Sequence, residues 1–350
     1  MQNFKVWLLS VVVLLVIGLN QAFATDKRDP FLQPFSPSSI WNMPIGSNAV
    51  YKKANIKKAA RLGVDTEYFY KLKSNDPMRP VFFPGAWGVG RCTGKKTAFV
   101  SLPIPDDLIV PDATKTSTPN NASAFLMPDR KTLVQLEPLS RCEKGGPIYG
   151  YKSSPDVSIY GMGIGGSHFG SGLSAIGGSI RKGELTSSKP IPHALKLLVW
   201  GKKYLYYSND IKGYRWPADR SDSYASKLYG GSNPSLVQGT LLAIPPNVTP
   251  KSIDIQNKLT LKLFHALQDY GAYIVDDAAW DNHYLAAENG VVKEVKDATG
   301  ISINNVSSGK YYQEFNRLIE TLQIVDNNSK TSVGGGGKPR VPLAPPLRRS

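Results

Sequence analysis

Only four histidines occur in the 350 residues, so each can be weighed against the acids near it. The densest grouping of both kinds is VDDAAWDNHY, where Asp276, Asp277 and Asp281 precede His283. Carboxylates at a strand end with an imidazole nearby can serve as general acid and base or hold a hard cation. An Asp-Asp pair after a strand is equally an ordinary turn cap. Trp280 and Tyr284 flank the group as a sugar-stacking edge would. His193 opens HALKLLVW and shares a strand face with Leu195, Leu197 and Val199. At the rim of a core it reads either as a satisfied buried histidine or as a catalytic base. His168 lies in a glycine-rich loop that can present it, whereas His265 sits beside a helical apolar stripe and reads as packing.

A second grouping is GYRWPADRSDSYASKLYGG, which carries Tyr214, Arg215, Trp216, Asp219, Arg220 and Asp222 without helical or strand period. Aromatic rings beside Arg and Asp suit a pyranose, whose apolar face stacks while its hydroxyls meet the charges. A salt-bridged loop with packed aromatics has the same composition. From these residues two glycan-cleaving chemistries can be assembled. In β-elimination, His193 or Tyr214 takes the proton α to a uronate carboxyl while Arg215 or Arg220 neutralises that carboxylate. In hydrolysis, paired carboxylates from Glu184, Asp219, Asp276 and Asp277 act as acid and as base or nucleophile. The expected catalytic set is therefore His193, Glu184, Asp276, Asp277 and Tyr214. The expected substrate-binding set is His168, Arg215, Trp216, Asp219, Arg220 and Trp280.

Other chemistries lack their motifs. Gly161, Gly163 and Gly166 spell GxGxxG after VSIY, but SHFGSGLSAIGG follows with more glycine and no helical period. A dinucleotide fingerprint must open a helix, so this match is set aside. Ser167 is followed by His168 and Phe169 before Gly170, which is not a nucleophile elbow. No DxDxDG loop or HExxH helix occurs. No metal site or cofactor is expected, and a Ca-type divalent ion has no motif behind it.

The elements that must position these residues read as mainly β. Lys5, the apolar run Val6 to Leu19 and Ala22-Phe23-Ala24 predict a cleaved secretory signal over residues 1–24. A globular domain is expected over 25–330 and a Gly/Pro-rich basic tail over 331–350. Cys92 and Cys142, in an oxidising compartment, predict one structural disulfide. Ala49 to Gly63 reads as a short basic helix. TAFVSLPI, DDLIV, SAFLMPD and KTLVQLEPL read as strands in hairpins. HALKLLVW, KYLYYS, GTLLAIPP and AYIVDD read as further strands, with helices at Ile255 to Gly271 and in YYQEFNRLIETLQIV. The expected architecture is a β-sandwich or jelly-roll-like single domain with a few peripheral helices.

The words HALK, YRWPA, YGAYIVDD and GGGGKPRVPLAP give the chain a resemblance to a group of secreted bacterial proteins, over roughly Phe35 to Pro346. That resemblance implies a secreted bacterial setting and transfers no activity and no catalytic residue. The net charge of +15 comes from 42 basic against 27 acidic residues at only 20% charged, which excludes a disordered polyelectrolyte. A mildly basic secreted domain is attracted to acidic glycans. The reading is a secreted enzyme cleaving an extracellular acidic polysaccharide, as lyase or glycoside hydrolase. Its rival is a non-catalytic glycan- or wall-binding protein. Nucleic acid is not an expected partner, because no dense Lys/Arg stripe occurs, and no stable membrane insertion is expected after signal cleavage.

Overall fold

In chain order the strands are β1 (Tyr51–Lys53), β2 (Arg61–Lys71), β3 (Met78–Phe82), β4 (Ala98–Pro103), β5 (Ser123–Leu126), β6 (Thr132–Leu136) and β7 (Leu139–Ser140). They continue as β8 (Ile148–Gly150), β9 (Val157–Ser158), β10 (Leu195–Trp200), β11 (Leu241–Ala243), β12 (Ala272–Ala278), β13 (Asn282–Glu288) and β14 (Gln323–Val325). The helices are α1 (Gly201–Tyr204), α2 (Ala225–Leu228), α3 (Lys258–Asp269), α4 (Val291–Thr299) and α5 (Gly309–Thr321). This computed structural model describes residues 27–348, so the expected signal at 1–24 lies outside the described residues.

Strands dominate, as the sequence predicts, and ten of them form one mixed sheet in the order β1-β14-β11-β12-β10-β13-β2-β5-β6-β9. A smaller sheet runs β4-β3-β8-β7. Within the large sheet β10 pairs parallel with β12, β13 with β2, and β2 with β5, while the other pairings are antiparallel. Residue alternation along β10 sorts the two faces. Leu195, Leu197 and Val199 pack with Leu263 and Phe264 of α3 and Phe315 and Leu318 of α5. Leu198 points the other way, into a core built from Phe35, Ile40 and Trp41 of the N-terminal arm and Leu173, Ala175 and Ile176 of the glycine-rich segment. Lys196 lies between Leu195 and Leu197 and therefore faces this second side.

The glycine-rich segment is no dinucleotide loop. No helix occurs in residues 161–178, and the glycines let backbone lie against the arm. A Cβ on Gly178 would sit 2.6 Å from the Trp41 ring, and its φ of +77° favours glycine for a second reason. Trp41 in turn donates its indole N–H to the Gly163 carbonyl at 2.7 Å.

Several expected elements are corrected. The basic helix over Ala49 to Gly63 does not form; Asn55, at φ +57°, breaks the helical path, and the chain supplies β1 and then enters β2 at Arg61. KYLYYS is not a strand but the single turn α1 followed by extended chain. In DDLIV only Val110 pairs, with Arg141. The predicted helix at Ile255 to Gly271 is α3, capped by Asn257, whose side chain accepts from the Leu259 amide at 2.9 Å. Leu347 bridges to Arg28 and Pro339 to Gly46, so the tail lies along the N-terminal arm. Cys92 and Cys142 form the expected disulfide. Among the described residues no helix is long and apolar enough to cross a membrane.

Candidate active site

A charged group fills the sheet face that the arm and the glycine-rich segment cover. Lys196 of β10 and Glu67 of β2 are both without solvent exposure, and Lys196 Nζ lies 2.5 Å from Glu67 Oε1. Lys196 also donates to the carbonyls of Ser174, at 3.3 Å, and Ala175. Glu67 accepts from the Ser179 hydroxyl on its other oxygen. His168, equally buried, places Nε2 2.9 Å from Glu67 Oε1. Lys196 Nζ also stands 3.1 Å from His168 Nε2, so ammonium, imidazole and carboxylate meet at one point. Burial opposes charge on Glu67, but Lys196 and His168 hold its carboxyl below the ordinary range. Lys196 is lowered by burial against the pull of Glu67.

The other edge of the His168 ring faces carboxylates. Nδ1 lies 3.4 Å from Glu137 Oε2 and 3.9 Å from Asp276 Oδ2. Neither Nδ1 nor Glu137 Oε2 has a hydrogen-bond partner, although both are buried. Burial, followed by Asp276, Asp65 and Glu67, raises the Glu137 carboxyl well above its ordinary range against the pull of His168. Burial and Lys196 oppose charge on His168, yet Glu137, Asp276 and Glu67 outweigh them and lift it to about 10.

Asp276 carries the site toward solvent. It forms a second trio with Asp222 and Asp277 whose facing atoms lie within 4.8 Å of one another. In this trio the carboxylates have donors. Tyr229 OH donates to Asp222 Oδ2 at 2.5 Å, Tyr224 OH to Asp277 Oδ1 at 2.8 Å, and the Asp277 amide to Asp276 Oδ1 at 2.8 Å. Burial, then Asp276 and Asp277, push Asp222 up to about 8, and burial and Asp276 push Asp277 up to about 7. Gly170 makes room for the trio, since a Cβ there would sit 2.4 Å from Asp276 Oδ1. Asp222 also lines a polar cleft of about 310 Å³ with Tyr207, Lys212, Tyr214, Asp219 and Arg220. Beside it runs a strip of half-exposed rings: Phe83 packs on Tyr151, and Tyr151 stacks on Phe169 with centroids 5.3 Å apart. Arg220 joins strip to cleft, holding Asp219 at 2.6 Å and the Ser153 carbonyl at 3.4 Å.

The residues expected from sequence thus divide. His168 and Asp276 meet with Glu137, Asp276 and Asp277 meet with Asp222, and Tyr214, Asp219 and Arg220 meet at the cleft. His193 and Glu184 make a separate pair: His193 Nε2 lies 3.1 Å from Glu184 Oε1 and Nδ1 lies 2.9 Å from the Ala194 carbonyl. Both ring nitrogens face acceptors, so the ring is held as an imidazolium with no free lone pair. Arg215 turns to the Asp326 carbonyl at 2.8 Å, and Trp216 packs against the arm-side core. Trp280 is exposed at the β12–β13 turn and donates to Tyr284 OH at 3.0 Å. His283 is buried against the Lys57 carbonyl at 2.9 Å, remote in role from the acids that precede it. Glu67, Glu137, Lys196, Tyr224 and Tyr229 were not among the expected residues. The one available signal was Lys196, a lone lysine inside the apolar run HALKLLVW. The chain matches no protein-family model, no curated protein and no solved structure.

Proposed function

We propose that the protein is a secreted enzyme that hydrolyses an extracellular, acidic polysaccharide at the Asp222–Asp276–Asp277 trio. The observation that carries this reading is the convergence of three carboxylates within 4.8 Å beside a polar cleft. Asp222, which lines the cleft, is assigned as general acid. Asp277, whose charge the Tyr224 hydroxyl stabilises, is assigned as nucleophile. Crowded carboxylates do not all ionise together, which supplies one proton donor beside one anion. Facing atoms within 4.8 Å of one another leave less than the roughly 6.5–9.5 Å that an inverting enzyme needs for its water. The reading therefore includes retention of anomeric configuration.

The carboxylate trio favours hydrolysis; of the elimination candidates, His193 and Arg215 are engaged elsewhere while Tyr214 and Arg220 line the cleft, so the chemical nature of the product decides between the two reactions. Lys212 and Arg220 on the cleft wall and the net charge of +15 favour an anionic chain. Phe83, Tyr151 and Phe169 offer ring faces on which sugars stack. The disulfide fits an oxidising, extracytoplasmic compartment.

The test is incubation with polygalacturonate, alginate, hyaluronan and a neutral β-glucan. The expected result is new reducing ends from an anionic glycan without ultraviolet-absorbing unsaturated product. Asp222→Asn should lower the rate by about 10²–10⁴-fold while leaving glycan binding intact. Unsaturated product would overturn hydrolysis in favour of elimination. Binding without any product, unchanged in Asp222→Asn, would overturn the enzyme reading in favour of a glycan-binding protein.

A further inference from the structure

We propose that Glu137, His168 and Asp276 form a binding site for one first-row divalent cation of the Zn²⁺ type, which shares Asp276 with the proposed cleavage site and is tested by metal uptake without a glycan. Distances argue first. If a proton alone joined His168 Nδ1 to Glu137, the charge-assisted hydrogen bond would draw the atoms to about 2.7–2.9 Å. They stand 3.4 Å apart. Two ligands on one tetrahedral metal, each at about 2.0–2.1 Å, are separated by about 3.4 Å. Asp276 Oδ2, 3.9 Å from Nδ1, is a few tenths wider and is the solvent-side member.

Unmet hydrogen-bonding capacity argues second. His168 Nδ1 and Glu137 Oε2 are buried, point at each other and lack any partner. Groups of this kind in a folded interior call for an occupant. The neighbouring Asp222–Asp276–Asp277 trio differs in this respect, because two tyrosine hydroxyls and a backbone amide already serve it.

The surroundings of the ring argue third. His168 Nε2 lies against Glu67 while Nδ1 faces Glu137 and Asp276, so a cation displacing the Nδ1 proton would meet the ring nitrogen and both carboxylates. A carboxylate behind a ligating histidine is the usual support of such ligands. Lys196 and Ser179 hold that carboxylate in place. One imidazole with two carboxylates suits Zn²⁺ better than Ca²⁺, which needs six to eight oxygens. Three protein ligands leave a coordination position open.

The experiment strips the intact protein with a chelator and titrates it with Zn²⁺ by calorimetry, with Co²⁺ absorbance as a second probe. One ion per chain is expected, with a Tm that rises on saturation. Glu67→Gln, a positioning change, should weaken binding 10–100-fold, and the near-isosteric Glu137→Gln or Asp276→Asn should weaken it further. Glu184→Gln, in the separate His193 pair, should leave it unchanged. Absence of stoichiometric Zn²⁺ and Co²⁺ uptake by stripped wild-type protein with a native circular dichroism spectrum would overturn the site. So would uptake that survives both Glu137→Gln and Asp276→Asn. Since the wild-type titration alone can decide, a variant that fails to fold does not shield the proposal.

Discussion

Lys196 Nζ and Glu67 Oε1 meet 2.5 Å apart at a point where neither side chain touches solvent. The pair ties β10 to β2 across the intervening β13, and it holds His168 from behind. Removing one member of a buried ion pair strands the other charge, at a cost of about 3–5 kcal/mol. Lys196→Met and Glu67→Gln should therefore each lower stability to that extent in urea unfolding. The double variant should lose less than the sum, with a coupling of about 0.5–3 kcal/mol. Strict additivity would show that the contact is not an energetic unit.

Much of the sheet was legible because β10, β11 and β12 are short apolar runs bounded by Gly, Pro or acids. β2 was hidden. Its RLGVDTEYFYK sends Asp65 and Glu67 to a buried polar site, so the hydrophobic pattern that announces a strand is broken by the residues the site needs. The basic stretch from Ala49 failed as a helix through the backbone at Asn55, which side-chain periodicity does not register. At the site, Asp276, Asp277 and His168 could be singled out by type. Their grouping could not, because Glu137 reaches His168 only through the chain of pairings β2 to β5 to β6, which lies outside any local window. Conversely, the tight local cluster ending at His283 dissolved, because Asp276 and Asp277 lie at the end of β12, Asp281 lies in the turn, and His283 enters β13.

His283 gives a prediction on the acid side. Burial holds its imidazole down at about 4, against the unfolded value near 6.5. The unfolded chain therefore takes up a proton at a pH where the folded chain does not. Stability from this group is complete above about pH 6.5 and declines as pH falls toward 4, by about 3 kcal/mol over the interval. His283→Gln, which keeps a donor for the Lys57 carbonyl, should flatten that limb when urea midpoints are compared from pH 7 to 4. An unchanged slope would place the acid sensitivity in the carboxylates instead.

His193 predicts the opposite window. Burial disfavours its charge, but the Glu184 carboxylate, by attraction and hydrogen bond, outweighs burial and leaves the pKa raised. A histidine raised in the folded state stabilises fully below its unfolded pKa and loses that contribution as pH rises through the folded one. Glu184→Gln should accordingly cost about 1.5–3 kcal/mol, the range for a hydrogen bond to a charged group, at pH 5.5–6. The cost should shrink as pH is raised through the folded pKa of His193 and the ring loses its proton. The Cε1 proton resonance of His193 gives the second readout, with its midpoint above that of a free histidine in wild type and lower in Glu184→Gln. A cost that does not change with pH, with the His193 midpoint unmoved, would mean that Glu184 acts by accepting from the Arg181 amide, at 2.6 Å, and not through the imidazolium.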